Sequence, residues 1–146
     1  MPTDTSHDDQ RPSVLFICIK NGGKSQVAAA LMRQLAGPQI EVHSAGTEPG
    51  AELNALSVEA MKEVGASAEG EAPKPVDPEL LARMDVVVTL GEDAHVEPVP
   101  GPRFETWLTD EPSERGIDGI ERMRLVRDDI AARVRVLAAA LGVDVR

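Results

Sequence analysis

Apolar and polar positions follow two rhythms that alternate along the chain. "SVLFIC", Ser13 to Cys18, is an unbroken apolar run rich in β-forming residues, the pattern of a strand covered on both faces. The run breaks into "IKNGGK" and gives way to "SQVAAALMRQLAG", where Val27, Ala30, Leu31 and Leu35 fall on one helical face and Gly37-Pro38 stops the helix. "IEVHSAG" predicts a second short strand, and "LSVEAMKEVGA" a second helix with Ser57 as N-cap and Gly65 near its end. "PKPVDPELLARM" sets Asp77 and Pro78 as cap and first residue of a short helix. "DVVVTLG" predicts a third buried strand. "EDAHVEPVPGPRFE" is a proline-broken loop leading to a strand around "RFETW". A long last helix starts near Ile117, and Ile120, Met123, Ile130, Val134, Leu137 and Leu141 form its docking stripe.

This alternation predicts an α/β fold: a single doubly wound domain with a parallel sheet of about four strands and helices on both faces. Residues 1–12 are polar and acidic and predict a disordered tail; residues 13–146 form the single domain. In such folds ligands bind beyond the C-terminal ends of the strands. Cys18 stands at the end of the first one.

Composition narrows the picture. A chain of 146 residues supports one domain with a full core and not two. No apolar run approaches the roughly 20 residues of a membrane span, and "MPTDTSHDDQRP" lacks the basic start and apolar stretch of a signal peptide. The expected location is therefore the cytoplasm, away from membranes. A formal net charge of −10 argues against nucleic acid as a partner. It does not exclude a small anion, which responds to the local field of its pocket. Cys18 is the only cysteine, so no internal disulfide forms, and no Cys/His spacing suits a metal.

The loop after Cys18 carries the chemistry. A strand running through "CIKNGGKS" into a helix leaves backbone N–H groups without intrahelical partners at the positive end of the helix dipole, a ready anion site. Ile19, Lys20, Asn21, Gly22 and Gly23 would form the substrate cradle. Gly22 and Gly23 let the backbone curl inward, and Asn21 tolerates a left-handed conformation while bracing the loop. Lys24 places a cation beside the anion, and Ser25 brings a hydroxyl within reach of the sulfur. The same field favours the thiolate of Cys18, a nucleophile aimed at a tetrahedral centre. The loop is not a nucleotide-binding GxxxxGK[ST] motif, because Cys18 stands where its first glycine belongs.

Cys18 to Ser25 resemble the Cys-x5-Arg-Ser loop of low-molecular-weight protein tyrosine phosphatases, and the following "SQVAAAL" resembles the arsenate reductases built on that fold. The resemblance continues through "HSAGT", "DVVVTLG" and "WLTDEP" to the last helix. It implies that a carboxylic acid beside Pro112 donates a proton. Glu111 takes the place usually held by aspartate, and Asp110 is the fallback.

Two departures refine what the resemblance implies. Lys24 replaces the arginine whose planar fork grips two oxygens of a phosphoryl group, which disfavours ester hydrolysis. "CIKNGGKSQ" with lysine is similar to the arsenate–mycothiol transferases. Thioredoxin-coupled members carry further cysteines after the third strand, whereas here that region reads "TLGEDAHVEPVP" and Gly91 stands where one is expected. Independently of any resemblance, one cysteine cannot complete a two-electron thiol cycle within a chain. The implied activity is arsenate detoxification. Cys18 attacks arsenate, and the arsenic passes to mycothiol, a cosubstrate and not a bound cofactor. A glutaredoxin-like mycoredoxin then reduces the adduct. Glutathione or bacillithiol would satisfy the same logic. The alternatives are a phosphatase acting on phosphotyrosine or a small phosphoester, and a non-catalytic oxyanion-binding module. His95, in the acidic loop near the expected site, is a weaker candidate for touching the thiol.

Overall fold

The computed structural model describes residues 11–143. Most of the predicted tail, residues 1–10, lies outside the described residues. Four strands build one parallel sheet: β1 (Ser13–Cys18), β2 (Glu41–Gly46), β3 (Val86–Leu90) and β4 (Arg103–Trp107), in the order β2-β1-β3-β4. The central pair explains the two apolar runs. Every residue of β1 and β3 is buried, because β1 is flanked by β2 and β3 and covered above and below. The edge strand β4 is more open, with Arg103 and Thr106 exposed and only Trp107 buried.

The helices α1 (Lys24–Ala36), α2 (Ala55–Glu63) and α4 (Gly119–Ala140) cover one face, where Val14, Phe16 and Cys18 point into a cluster with Val27, Met32 and Ile130. Leu15 and Ile17 point the other way. There they meet Leu81 and Met84, in and just after the short α3 (Pro78–Arg83), and loop residues such as Val96 and Val99. The two faces are thus covered unequally, three helices against one helix and its loops. Strand parity places Cys18 on the three-helix face, directly under the start of α1.

Three predicted boundaries move. The cap of α2 is Asn54, whose Oδ1 accepts the Ser57 N–H at 2.9 Å, so Ser57 sits one turn inside the helix. The last helix begins at Gly119 and not near Ile117. A 3-10 turn over Pro112–Arg115 ends at left-handed Gly116, and the Ile117 N–H is held by the Pro112 carbonyl at 3.1 Å. The first helix gains Lys24 at its start. Asp77 and Pro78 open α3 as read from the sequence, with Asp77 Oδ1 accepting the Glu79 N–H at 3.0 Å. No helix among the described residues is long and apolar enough to cross a membrane.

Candidate active site

The loop between β1 and α1 is held from behind by the chain that follows β2. Cys18, Ile19, Lys20 and Gly22 offer their carbonyls to the N–H groups of Thr47, Glu48, Gly50 and Asn54 at 2.8–3.1 Å. Each carbonyl is thereby turned outward. Among the described residues, no N–H from Ile19 to Gly23 donates to a backbone carbonyl or a side chain. Together with the unpaired first amides of α1, they leave a run of backbone donors without protein partners at a helix N-terminus, the kind of feature that holds anions.

Asn21 takes the left-handed backbone, with φ 54°, and is fully buried. Its Oδ1 accepts the Lys74 N–H at 3.0 Å, its Nδ2 donates to Ser25 Oγ at 2.8 Å, and its carbonyl accepts from Gln26 Nε2 at 3.1 Å. Its side chain therefore braces the loop, with both polar atoms committed inside the protein. Ser25 Oγ lies 2.9 Å from Cys18 Sγ.

Cys18 opens onto a cleft of about 730 Å³ shared with Ile19, Lys20, Lys24, Thr109 and Glu111. Lys24 Nζ donates to Glu111 Oε1 at 2.6 Å, joining two residues that lie 87 apart in sequence. Glu111 Oε2 is 3.9 Å from Arg122 Nη2 on α4. Gly22 and Gly23 line the neighbouring hollow behind the loop. Asp110, the fallback acid, does not line the cleft. It is gripped by both terminal nitrogens of Arg115, at 2.8 and 3.1 Å, and that guanidinium holds its carboxyl below the usual carboxylate range. The Asp110 N–H donates to Asp129 Oδ2 at 2.7 Å, which anchors this loop to α4. His95 is exposed and does not line the cleft. A further hollow of about 860 Å³, lined by Leu31, Leu35, Val134 and Arg127, lies away from the sulfur.

Sequence reasoning missed three supporting residues. Gly46 is paired with Cys18 in the β1–β2 register, and a Cβ there would lie 2.6 Å from the Ile19 carbonyl oxygen and 2.9 Å from Asn21 N. The signal was available in "HSAGT", a small residue ending the strand beside the loop. Thr109 and Arg122 gave no such signal, since only folding brings them to Cys18.

Residues 13–146 match the family described as low molecular weight phosphotyrosine protein phosphatase. The chain belongs to that family. Among sequence relatives of this family member, arsenate reductase 2 of Staphylococcus saprophyticus is 33% identical over 128 residues, covering 86% of this chain and 95% of the relative. Arsenate reductase of Bacillus subtilis is 34% identical over 131 residues, covering 86% and 94%. Among solved structures, the thioredoxin-dependent arsenate reductase of Corynebacterium glutamicum superposes with a TM-score of 0.76 at 31% identity, covering 94% of this chain and 70% of that one. A tyrosine phosphatase of Erwinia amylovora shares the fold with a TM-score of 0.76 at 15% identity, over 91% and 95% of the two chains.

Proposed function

We propose that this protein is a single-cysteine arsenate reductase that hands arsenic to an external small thiol, an arsenate–mycothiol transferase. The observation that carries the reading is Cys18: it is the only thiol in 146 residues, and it sits under unclaimed loop amides 2.9 Å from a serine hydroxyl. The arsenate reductases among its relatives supply the substrate. Lys24, a point charge where phosphatases carry a guanidinium fork, speaks against phosphoester hydrolysis.

In the proposed reaction arsenate enters the cradle formed by Ile19, Lys20, Asn21, Gly22 and Gly23, with Lys24 beside it. The Cys18 sulfur bonds to arsenic while one hydroxyl departs as water, protonated by Glu111. Glu111 is tied to Lys24 in the ligand-free protein, so proton delivery requires that contact to open. Mycothiol then bonds to arsenic through its sulfur and displaces Cys18. A dithiol redoxin of the mycoredoxin type attacks the mycothiol sulfur. The electron pair of the broken sulfur–arsenic bond stays on arsenic, releasing arsenite and leaving a mixed disulfide. No resident cofactor takes part, and the thiol supply places the reaction in the reducing cytoplasm. The chain has no second thiol to resolve Cys18, so the completing thiol comes from outside, from a small molecule or from another protein, and the reading takes the small molecule.

The test incubates protein and arsenate with mycothiol, glutathione or bacillithiol, each with its redoxin, and follows arsenite release. Turnover with mycothiol and mycoredoxin is expected, with complete loss in Cys18→Ser. Turnover with thioredoxin alone, and none with any small thiol, overturns the proposal.

A further inference from the structure

The wall of the cleft opposite the Cys18 loop carries two residues that the reaction above leaves without a task. Thr109 is 6% exposed, lines the cleft, and its Oγ1 has no hydrogen-bond partner among the described residues. A buried hydroxyl without a partner is uncommon, and here it borders the space a ligand would enter. Arg122 lines both the cleft and the hollow behind the loop. Its Nη1 contacts only the thioether of Met123, at 3.5 Å, a weak acceptor. Among the described residues its one ion pair is the 3.9 Å contact with Glu111.

The Glu111 carboxylate thus spans two cations, with one oxygen on Lys24 at 2.6 Å and the other facing Arg122. A tetrahedral oxyanion presents the same edge, two oxygens on one central atom. Resting on the reading of this cleft as an oxyanion site, we propose that Arg122 and Thr109 complete the oxyanion subsite, and that Glu111 occupies it until substrate arrives. Arg122 then adds a second cation to the cleft from α4, beside Lys24. An arriving oxyanion takes both cations from Glu111 and offers an acceptor to the Thr109 hydroxyl. The same exchange frees the Glu111 carboxylate beside the departing hydroxyl, where it takes a proton from the incoming hydrogen oxyanion and passes it to the leaving hydroxyl, so substrate arrival and availability of the acid are one event.

The test needs no turnover. The full-length protein is titrated with inorganic phosphate, and protection of Cys18 from iodoacetamide is read as a half-protection concentration. Replacing a charged donor to an anion should raise that concentration roughly tenfold or more in Arg122→Gln, with part recovered in Arg122→Lys, which keeps the charge without the fork. Thr109→Val should raise it several-fold. Glu111→Gln should lower it, because the internal competitor loses its charge. The double variant Glu111→Gln/Arg122→Gln should still bind phosphate more weakly than Glu111→Gln alone. Native half-protection in both Arg122 variants overturns the assignment of Arg122. So does an Arg122→Gln effect that vanishes in the Glu111→Gln background, since Arg122 would then act only on Glu111. Unchanged protection in Thr109→Val removes Thr109. Should Arg122→Gln fail to fold, as read by its circular dichroism, Arg122→Lys carries the comparison. If phosphate fails to protect the unaltered protein, the oxyanion reading itself falls, an outcome separate from failure of the variants.

Discussion

Asn21 and Ser25 form a short hydrogen-bonded chain that ends at the one thiol of the protein. Asn21 Nδ2 donates to Ser25 Oγ at 2.8 Å, and Ser25 Oγ lies 2.9 Å from Cys18 Sγ. With a lone pair of Ser25 taken by the amide, its hydrogen is free to point at the sulfur, where the contact strengthens as negative charge builds. Ser25→Ala should therefore slow iodoacetamide alkylation of Cys18 at neutral pH by roughly ten- to a hundredfold, the range for losing a hydrogen bond to a charged group. An unchanged rate constant would show that Ser25 leaves the reactivity of the sulfur alone. This local chain was legible in the sequence because all three residues lie within eight positions and one strand–helix junction. The Lys24–Glu111 pair was not, because each residue was readable separately but their contact crosses 87 positions. Glu111 was picked out by its place before Pro112, and nothing in the sequence showed that it would be found on the lysine.

At the scale of elements, the loop depends on the strand beside it. Gly46 ends β2 next to Cys18, and its missing Cβ makes room for the Ile19 carbonyl and the Asn21 backbone. Gly46→Ala should push the loop off the sheet, cost about 1–3 kcal/mol in urea unfolding, and abolish phosphate protection of Cys18. Gly23 is the contrasting case: a Cβ there meets only Ser57 Oγ, at an ordinary 3.4 Å. A Gly46→Ala protein that keeps native stability and phosphate binding would show that the loop tolerates displacement. The strands and helices themselves followed from periodicity, since β1 and β3 are buried on both faces and α4 presents Met123, Ile130, Val134 and Leu137 inward. Boundaries were less legible because tertiary contacts place them. The Asn54 N–H binds the Gly22 carbonyl at 2.8 Å, which holds Asn54 as the cap just before α2 and leaves Ser57 inside. Left-handed Gly116 similarly delays α4 to Gly119.

Across the whole molecule, carboxylates join elements that the sheet alone leaves apart. Glu41, at the start of β2, pairs with Arg83 at the end of α3 at 2.8 Å, and with His43 at 2.6 Å. Glu63, ending α2, pairs with Arg124 and Arg127 of α4 at 2.6 and 2.8 Å. Hydrogen bonding to Arg83 is the chief cause that holds the Glu41 carboxyl down from 4.5 to about 2, and Arg124 does the same for Glu63, also to about 2. Arg115 lowers Asp110 in the same direction. Between about pH 4.5 and about pH 2 the unfolded chain therefore binds more protons than the folded one. The stability these carboxyls contribute is complete above 4.5 and is lost as pH falls through the folded values. Net charge adds a second effect: from pH 7 down to the isoelectric point of about 4.7 acidification relieves the self-repulsion of a chain with net charge −10, and below it accumulating positive charge adds to the loss. The two effects separate in variants. At pH 7 Glu41→Gln and Glu63→Gln each ease the global repulsion by one unit but delete specific pairs. Each should be less stable than the native protein at pH 7, and each should lose less stability between pH 4.5 and pH 2, measured by urea unfolding at fixed ionic strength. If both variants keep the native slope across that window, the pairs do not set the acid limit, and titration of the remaining carboxylates does.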